Sequence, residues 1–146
     1  GINRTMAQVH ALLLIAPEPL STEQIMEELQ ISRGNANMNI RDLIGWNLVY
    51  KALVPGDRKE YFHAEKDIWE IARRIAKERK KREIEPVKDA LQKLQKVEGK
   101  KSDKEVEAFK DMMVQLGDFV NKMDGAMEGM IKSDENWFFK TILKFI

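Results

Sequence analysis

Apolar residues recur every three or four positions in the first part of the chain, a spacing that predicts amphipathic helices. The first helix spans residues 3–16 and is stopped by Pro17 and Pro19. A second helix begins at Ser21, whose spacing to Gln24 is that of a capping box. The residues expected to face inward from these two helices are Met6, Val9, Leu12, Leu13, Ala16, Ile25, Met26 and Leu29.

A tight turn and a third helix follow directly. Ser32 has the position of an N-cap, and the helix is predicted to run from Arg33 to about Gly45. Its inward positions are Ala36, Ile40 and Leu43. Three asparagines give this segment poor helix propensity, so a requirement other than helix stability selects its polar residues. The outer face carries Arg33, Asn35, Asn37, Met38 and Arg41.

The pattern then becomes typical of strands. Residues 48–54 have high β-propensity, residues 55–60 form a turn with Arg58 and Lys59 near its tip, and residues 61–64 return as a second strand. The order helix, helix, tight turn, helix and hairpin predicts a winged helix-turn-helix domain over residues 1–65, in a fold that is mainly α with a small β-hairpin wing.

The remaining residues, 66–146, read as helix throughout and are expected to form a helical dimerisation or effector region. Pro86 starts or kinks one of these helices. From Val106 to Met130 the apolar positions follow alternating steps of three and four, the spacing of a coiled-coil seam. Dimerisation is the preferred interpretation, and packing against residues 68–98 of the same chain is the alternative. The predicted dimer residues are Phe109, Met113, Leu116, Val120, Met123 and Met127.

Composition narrows the classes of function. The 146 residues carry 25 basic and 24 acidic side chains, and residues 1–64 hold 6 basic and 7 acidic ones, a net charge of −1. There is no cysteine, which excludes disulfides, thiolate catalysis and cysteine zinc sites and fits a reducing compartment such as the cytoplasm. No apolar run reaches the roughly 20 residues of a membrane span, so no membrane partner is expected.

The predicted third helix and wing have chemistry suited to double-stranded DNA. Arginine pairs with guanine and asparagine with adenine through two hydrogen bonds each, and Met38 suits a thymine methyl group. The helix start at Ser32 suits a phosphate, and the cations of the hairpin suit the backbone beside the site. The residues predicted to contact DNA are Ser32, Arg33, Asn35, Asn37, Met38, Arg41, Lys51, Arg58 and Lys59.

Residues 4–85 resemble the MarR-type winged-helix regulators, and more closely their GbsR-like branch. The stretches that carry the resemblance are LSTEQIMEELQISRGNANMNIRDLIGWNLV, VPGDRKEYF and DIWEIARRIAKERKKREIEP. The resemblance implies a homodimeric transcriptional regulator, such as a repressor, that binds a pseudo-palindromic operator and in many cases responds to a small effector. A chain that starts at Gly1 is also expected to lack a preceding helix that such regulators have.

Two further features keep two interpretations each. Trp46, Tyr61 and Trp69 suit a cage for a cationic effector, although core packing is favoured. The basic run from Arg73 to Arg82 suits phosphates or a solvated helix face.

No catalytic motif, metal-ligand pair or cofactor loop is present, so an enzyme, a metal site and a cofactor are not expected. A helical protein-interaction module with a helix-turn-helix-like core is the alternative to a DNA-binding regulator.

Overall fold

The computed structural model describes residues 2–94 and 104–133 and confirms a mainly helical fold with a small antiparallel sheet. Packing divides the chain into two compact units, one up to Ile75 and one from Ala76 onward. The elements of the described ranges are α1 (Arg4–Ile15), β1 (Leu20–Ser21), α2 (Thr22–Leu29), α3 (Arg33–Gly45), β2 (Val49–Ala52), β3 (Tyr61–Ala64), α4 (Ile68–Arg79), a π-helical turn (Lys80–Ile84), α5 (Glu85–Leu94) and α6 (Lys104–Lys132).

Hydrogen bonds fix the start of both α2 and α3. The Ser21 hydroxyl accepts from the Gln24 backbone N–H at 3.3 Å, and the Gln24 side chain accepts from the Ser21 N–H at 2.8 Å, which confirms the capping box. α2 ends at Gln30, which adopts a left-handed conformation with φ 52°. The Ser32 hydroxyl then accepts from the Asn35 N–H at 3.3 Å and starts α3 as predicted.

A three-stranded sheet, in the order β1-β3-β2, carries the predicted hairpin. β2 and β3 pair antiparallel from Val49 with Ala64 to Ala52 with Tyr61. The two-residue strand β1 was not predicted, because its pairing of Ser21 with Tyr61 joins residues far apart in sequence. At the tip, Pro55 and a Gly56 with φ 86° form a type II turn pattern, which only glycine adopts without strain.

One hydrophobic core holds the first unit together. It joins α1, α2, α3, the sheet and the start of α4, and its buried residues are Met6, Val9, Leu13, Ile25, Ala36, Ile40, Leu43, Trp46, Leu48, Val49, Phe62, Ala64 and Ile71. The Lys66 ammonium closes the end of α1 by donating to the carbonyls of Leu13, Leu14 and Ala16 at 2.6–3.0 Å. Three orphan carbonyls at the helix end are thereby satisfied.

The compact units divide inside α4, whereas the sequence placed the domain boundary at 65/66. The reason is that Ile71 and Ile75 of α4 pack on the core of the first unit. The π-helical turn that follows was also not predicted. It ends at Ile84, two residues before Pro86, which has no N–H to donate to the carbonyl four residues earlier, so the wider turn accommodates the proline.

In the second unit, α5 packs against α6. The Asp124 carboxylate on α6 binds the Lys80 ammonium at 2.9 Å and the Lys88 ammonium at 2.6 Å. Hydrogen bonds from Lys80 and then Lys88 lower the pKa of Asp124. These pairs lie in partly desolvated positions, so they fix the rotation of α6 relative to the segment that contains both lysines.

Candidate functional site

The outward face of α3 is a line of small, flexible and polar side chains. Gly34, Met38, Arg41 and Gly45 are exposed, with Asn37 half-buried beside them. The opposite face is buried and consists of Ala36, Asn39, Ile40 and Leu43. A Cβ atom added at Gly34 would meet nothing within 4 Å, so no packing inside the described residues requires a glycine there.

Asn35 and Asn39 are bonded to each other within the helix. Asn39 is fully buried, and its amide nitrogen donates to the backbone oxygen of Asn35 at 2.8 Å and to its side-chain oxygen at 2.7 Å. The side-chain oxygen of Asn35 therefore already accepts one hydrogen bond within the helix. The predicted inward positions of this helix did not include Asn39, although the i+3 spacing of Asn39 from Ala36 was a signal for burial.

Arg33 is paired with a carboxylate that the sequence analysis did not single out. Its terminal Nη2 lies 2.9 Å from Oε1 of Glu23, and both side chains are about half exposed. A hydrogen bond from its own backbone N–H, then the hydrogen bond from Arg33 and the charge of Lys59, lower the pKa of Glu23. The pair spans ten residues and the whole turn between two helices, so no local spacing reveals it.

The wing presents its cations from a braced loop. Arg58 and Lys59 are both exposed. The Asp57 carboxylate accepts the Lys59 backbone N–H and the Tyr61 hydroxyl, each at 2.9 Å. These bonds lower the pKa of Asp57, and the same hydroxyl contact raises the pKa of Tyr61. Lys51, on the neighbouring strand, forms an ion pair with Glu60.

Six of the nine residues predicted to contact DNA therefore divide into two groups. Among residues 2–94 and 104–133, Arg41, Arg58 and Lys59 form no ion pair and keep their charges available. Arg33 and Lys51 already form ion pairs with Glu23 and Glu60, and Asn35 already accepts a hydrogen bond from Asn39. The start of α2 links the two parts, because Ser21 pairs with Tyr61 at the root of the wing and Glu23 binds Arg33 at the start of α3.

The basic run is largely occupied inside the chain. Arg74 binds Glu70 and Glu65, donates to the Asn47 carbonyl and the Tyr50 hydroxyl, and lies 5.7 Å from the centre of the Tyr50 ring. Other members of the run pair with carboxylates too, in the pairs Arg73 with Glu70, Lys80 with Asp124 and Glu128, and Arg82 with Glu78. This pairing favours a structural role for these four residues, whereas Lys77, Arg79 and Lys81 of the run are exposed.

The three aromatic residues predicted for an effector lie in different settings. Trp46 is buried in the core, Tyr61 is tied to Asp57 in the wing, and Trp69 is half-buried on α4. A cavity of about 140 Å³ between α5 and α6, lined in part by Gly117 and Val120, is smaller than the roughly 300–1,000 Å³ of typical ligand pockets. The effector site stays a prediction.

The predicted seam of α6 divides into two faces. Met113, Val120 and Met127 are half-buried, with Val120 lining the cavity beside α5, and these three residues form the covered face. The other three predicted dimer residues remain exposed and join two more apolar side chains at alternating steps of three and four. This exposed stripe consists of Phe109 (38% exposed), Met112 (51%), Leu116 (40%), Phe119 (61%) and Met123 (44%).

Each interpretation of the seam therefore describes part of the helix. A second line with the same 3,4 steps, offset through Met112 and Phe119, was the signal in the sequence that separates the two faces.

Within the ranges that the structure describes, no group of three or more histidine or acidic residues is arranged to hold a metal ion. No helix in those ranges is both long and apolar enough to cross a bilayer.

Comparison with known proteins agrees with this geometry. Residues 1–60 match the model of the MarR family. A crystal structure of a transcriptional regulator is similar over 87% of this chain and 86% of its own, with 21% identity and a TM-score of 0.51, a likeness that shows the fold. The adhesin competence repressor AdcR of Streptococcus pyogenes matches at 24% identity over 84% of this chain and 81% of its own, but its TM-score of 0.40 adds nothing to that assignment. No curated protein sequence matches the chain.

Proposed function

We propose that this chain is a homodimeric, sequence-specific DNA-binding transcriptional regulator. In this proposal α3 enters the major groove, the wing contacts the backbone beside it, and the exposed stripe of α6 joins two copies. The observation that carries the proposal is the outward face of α3, whose exposed residues belong to the same compact unit as the exposed cations of the wing. The match of residues 1–60 to the MarR family supports a DNA-binding regulator rather than an enzyme.

The charge of the first unit determines how it binds. Residues 1–64 hold 6 basic and 7 acidic side chains, so the domain as a whole has little attraction for a polyanion. Affinity then depends on a few placed groups, chiefly Arg33, Arg41, Arg58 and Lys59. A homodimer doubles that set, and we expect modest non-specific binding together with strong dependence on the dimer.

The exposed stripe supports the homodimer. Five large apolar side chains in one line on a helix form a patch of the kind that marks an interaction site, and a two-fold axis lets the stripe pack against its own copy. The α3 helices of two copies related by that axis would act as recognition helices and read half-sites about 34–36 Å apart, one turn of the duplex.

Selection from a pool of random duplex DNA at low salt tests the proposal. We expect enrichment of a pseudo-palindromic sequence with half-sites about one duplex turn apart. Replacing Arg33, Asn37 and Arg41 by alanine should abolish the enrichment, while Arg4→Ala, an exposed arginine at the start of α1, should preserve it. No enriched sequence with the unmodified chain would overturn the proposal and favour a helical protein-interaction module.

A further inference from the structure

We infer that Glu23 is a specificity-determining residue that restricts Arg33 to reading bases and keeps it from binding phosphates. The inference rests on the proposed function and adds to it a residue of α2 that need not touch a base. Its basis is the ion pair that Glu23 forms with Arg33, the first residue of α3, which is the helix expected to approach DNA.

The geometry of the pair leaves Arg33 free for one kind of contact. Only Nη2 of Arg33 meets Glu23, at 2.9 Å, and 60% of the arginine side chain is exposed. A guanidinium carries five N–H donors, so Nη1 and the second N–H of Nη2 remain available for the O6 and N7 atoms of guanine. Arg33 can therefore read guanine while it keeps its ion pair.

A phosphate contact is different in kind. The Glu23 carboxylate is 45% exposed beside the same guanidinium, and it repels a phosphate brought to that position. Glu23 thus penalises sequence-independent binding more than it penalises a guanine contact.

The magnitude follows from the exposure of the pair. Exposed ion pairs change an equilibrium by up to about fivefold. We expect Glu23→Gln to raise the affinity for random duplex by about two- to fivefold per protomer, because Arg33 then accepts any phosphate. Each added phosphate contact should also steepen the slope of log K against log salt concentration by about 0.9. The affinity for a selected site should not rise as much, so the ratio of specific to non-specific affinity falls.

The experiment measures binding to a selected sequence and to random duplex at several salt concentrations. Glu28→Gln is the matched control, since it removes the same charge from an exposed position of the same helix. In an Arg33→Gln background, Glu23→Gln should no longer change the salt slope. Circular dichroism and thermal unfolding confirm that each variant is folded.

Each outcome supports or overturns the inference. A lower ratio and a steeper slope in Glu23→Gln alone support it. An unchanged ratio and slope, an equal effect of Glu28→Gln, or an effect that persists without Arg33 overturns it while leaving the proposed function intact. If the unmodified chain enriches no sequence, the proposed function fails and the inference fails with it.

Discussion

The exposed stripe of α6 gives a quantitative prediction for self-association. Phe119 is its most exposed member, at 61%. Fully burying a phenylalanine side chain contributes about 1.5–3 kcal/mol, so covering the exposed part contributes about 1–2 kcal/mol. In a two-fold interface the residue occurs twice. Phe119→Ala should therefore weaken dimerisation by about 2–4 kcal/mol, or about 30- to 700-fold in Kd.

Sedimentation equilibrium over a wide range of protein concentrations measures this change directly. Val114→Ala is the matched control, because Val114 is 52% exposed on the same helix but about 140° around its axis from Phe119. Val120→Ala tests the covered face and should lower the free energy of unfolding more than it weakens the dimer.

Three results would refute this reasoning. The first is an unmodified chain that stays monomeric at concentrations well above those in cells. The second is a Phe119→Ala variant that keeps its fold and its original Kd. The third is a Val114→Ala variant that weakens the dimer as much as Phe119→Ala does, since the exposed stripe would then not be the contact.

Three further predictions concern stability and DNA binding. Burial lowers the pKa of His10, so the folded state resists protonation of this residue. The free energy of unfolding should therefore fall by up to about 1.4 kcal/mol per pH unit as the pH drops below about 6.5, the pKa of histidine in the unfolded chain. His10→Gln should remove that dependence in urea unfolding. Gly34→Ala should stabilise the fold by about 0.5–1 kcal/mol yet weaken DNA binding, whereas Gly125→Ala on α6 should only stabilise it, as measured by thermal unfolding and fluorescence anisotropy. The pKa of Asp124 is lowered in the folded state, so this residue stabilises the fold at pH values above about 3.8, its pKa in the unfolded chain. That stability is lost as the pH falls through the lower pKa of the folded state. Asp124→Asn should lower the free energy of unfolding by about 1–3 kcal/mol at pH 7 and should flatten the loss of stability in acid.

Each of these predictions has its own contradicting result. An identical pH dependence of stability in His10→Gln, or the same change in the exposed His63→Gln control, would contradict the first. Unchanged DNA affinity in Gly34→Ala would show that nothing approaches that glycine closely. A full-strength acid transition in Asp124→Asn would mean that other carboxylates control it.

The local features of the fold were predictable because they depend on neighbouring residues. Ser21 and Ser32 cap the helices that they were predicted to cap, and the hairpin returns at Tyr61 as expected. Each of these features follows from side chains three or four positions apart or from a turn sequence. Propensity and spacing are therefore sufficient for them.

The features that sequence reasoning missed depend on contacts between distant residues. The pairing of Ser21 with Tyr61 spans 40 positions, and the bonds from Lys66 to the end of α1 span about 50. The pair of Glu23 with Arg33 crosses a helix boundary. Heptad spacing identified α6 as an interface helix, but it could not say which half of the apolar surface α5 covers, because that depends on the rotation that Asp124 fixes.

The short strand β1 has a consequence for the entropy of DNA binding. It attaches the root of the wing to the residue that caps α2, and α2 is joined to α3 by a turn with fixed helix ends. The wing root and recognition helix are thus ordered before any DNA arrives, and their loss of freedom has already occurred during folding. Only the long cationic side chains remain to be ordered. A domain with so few available charges can therefore bind its site with little entropic opposition.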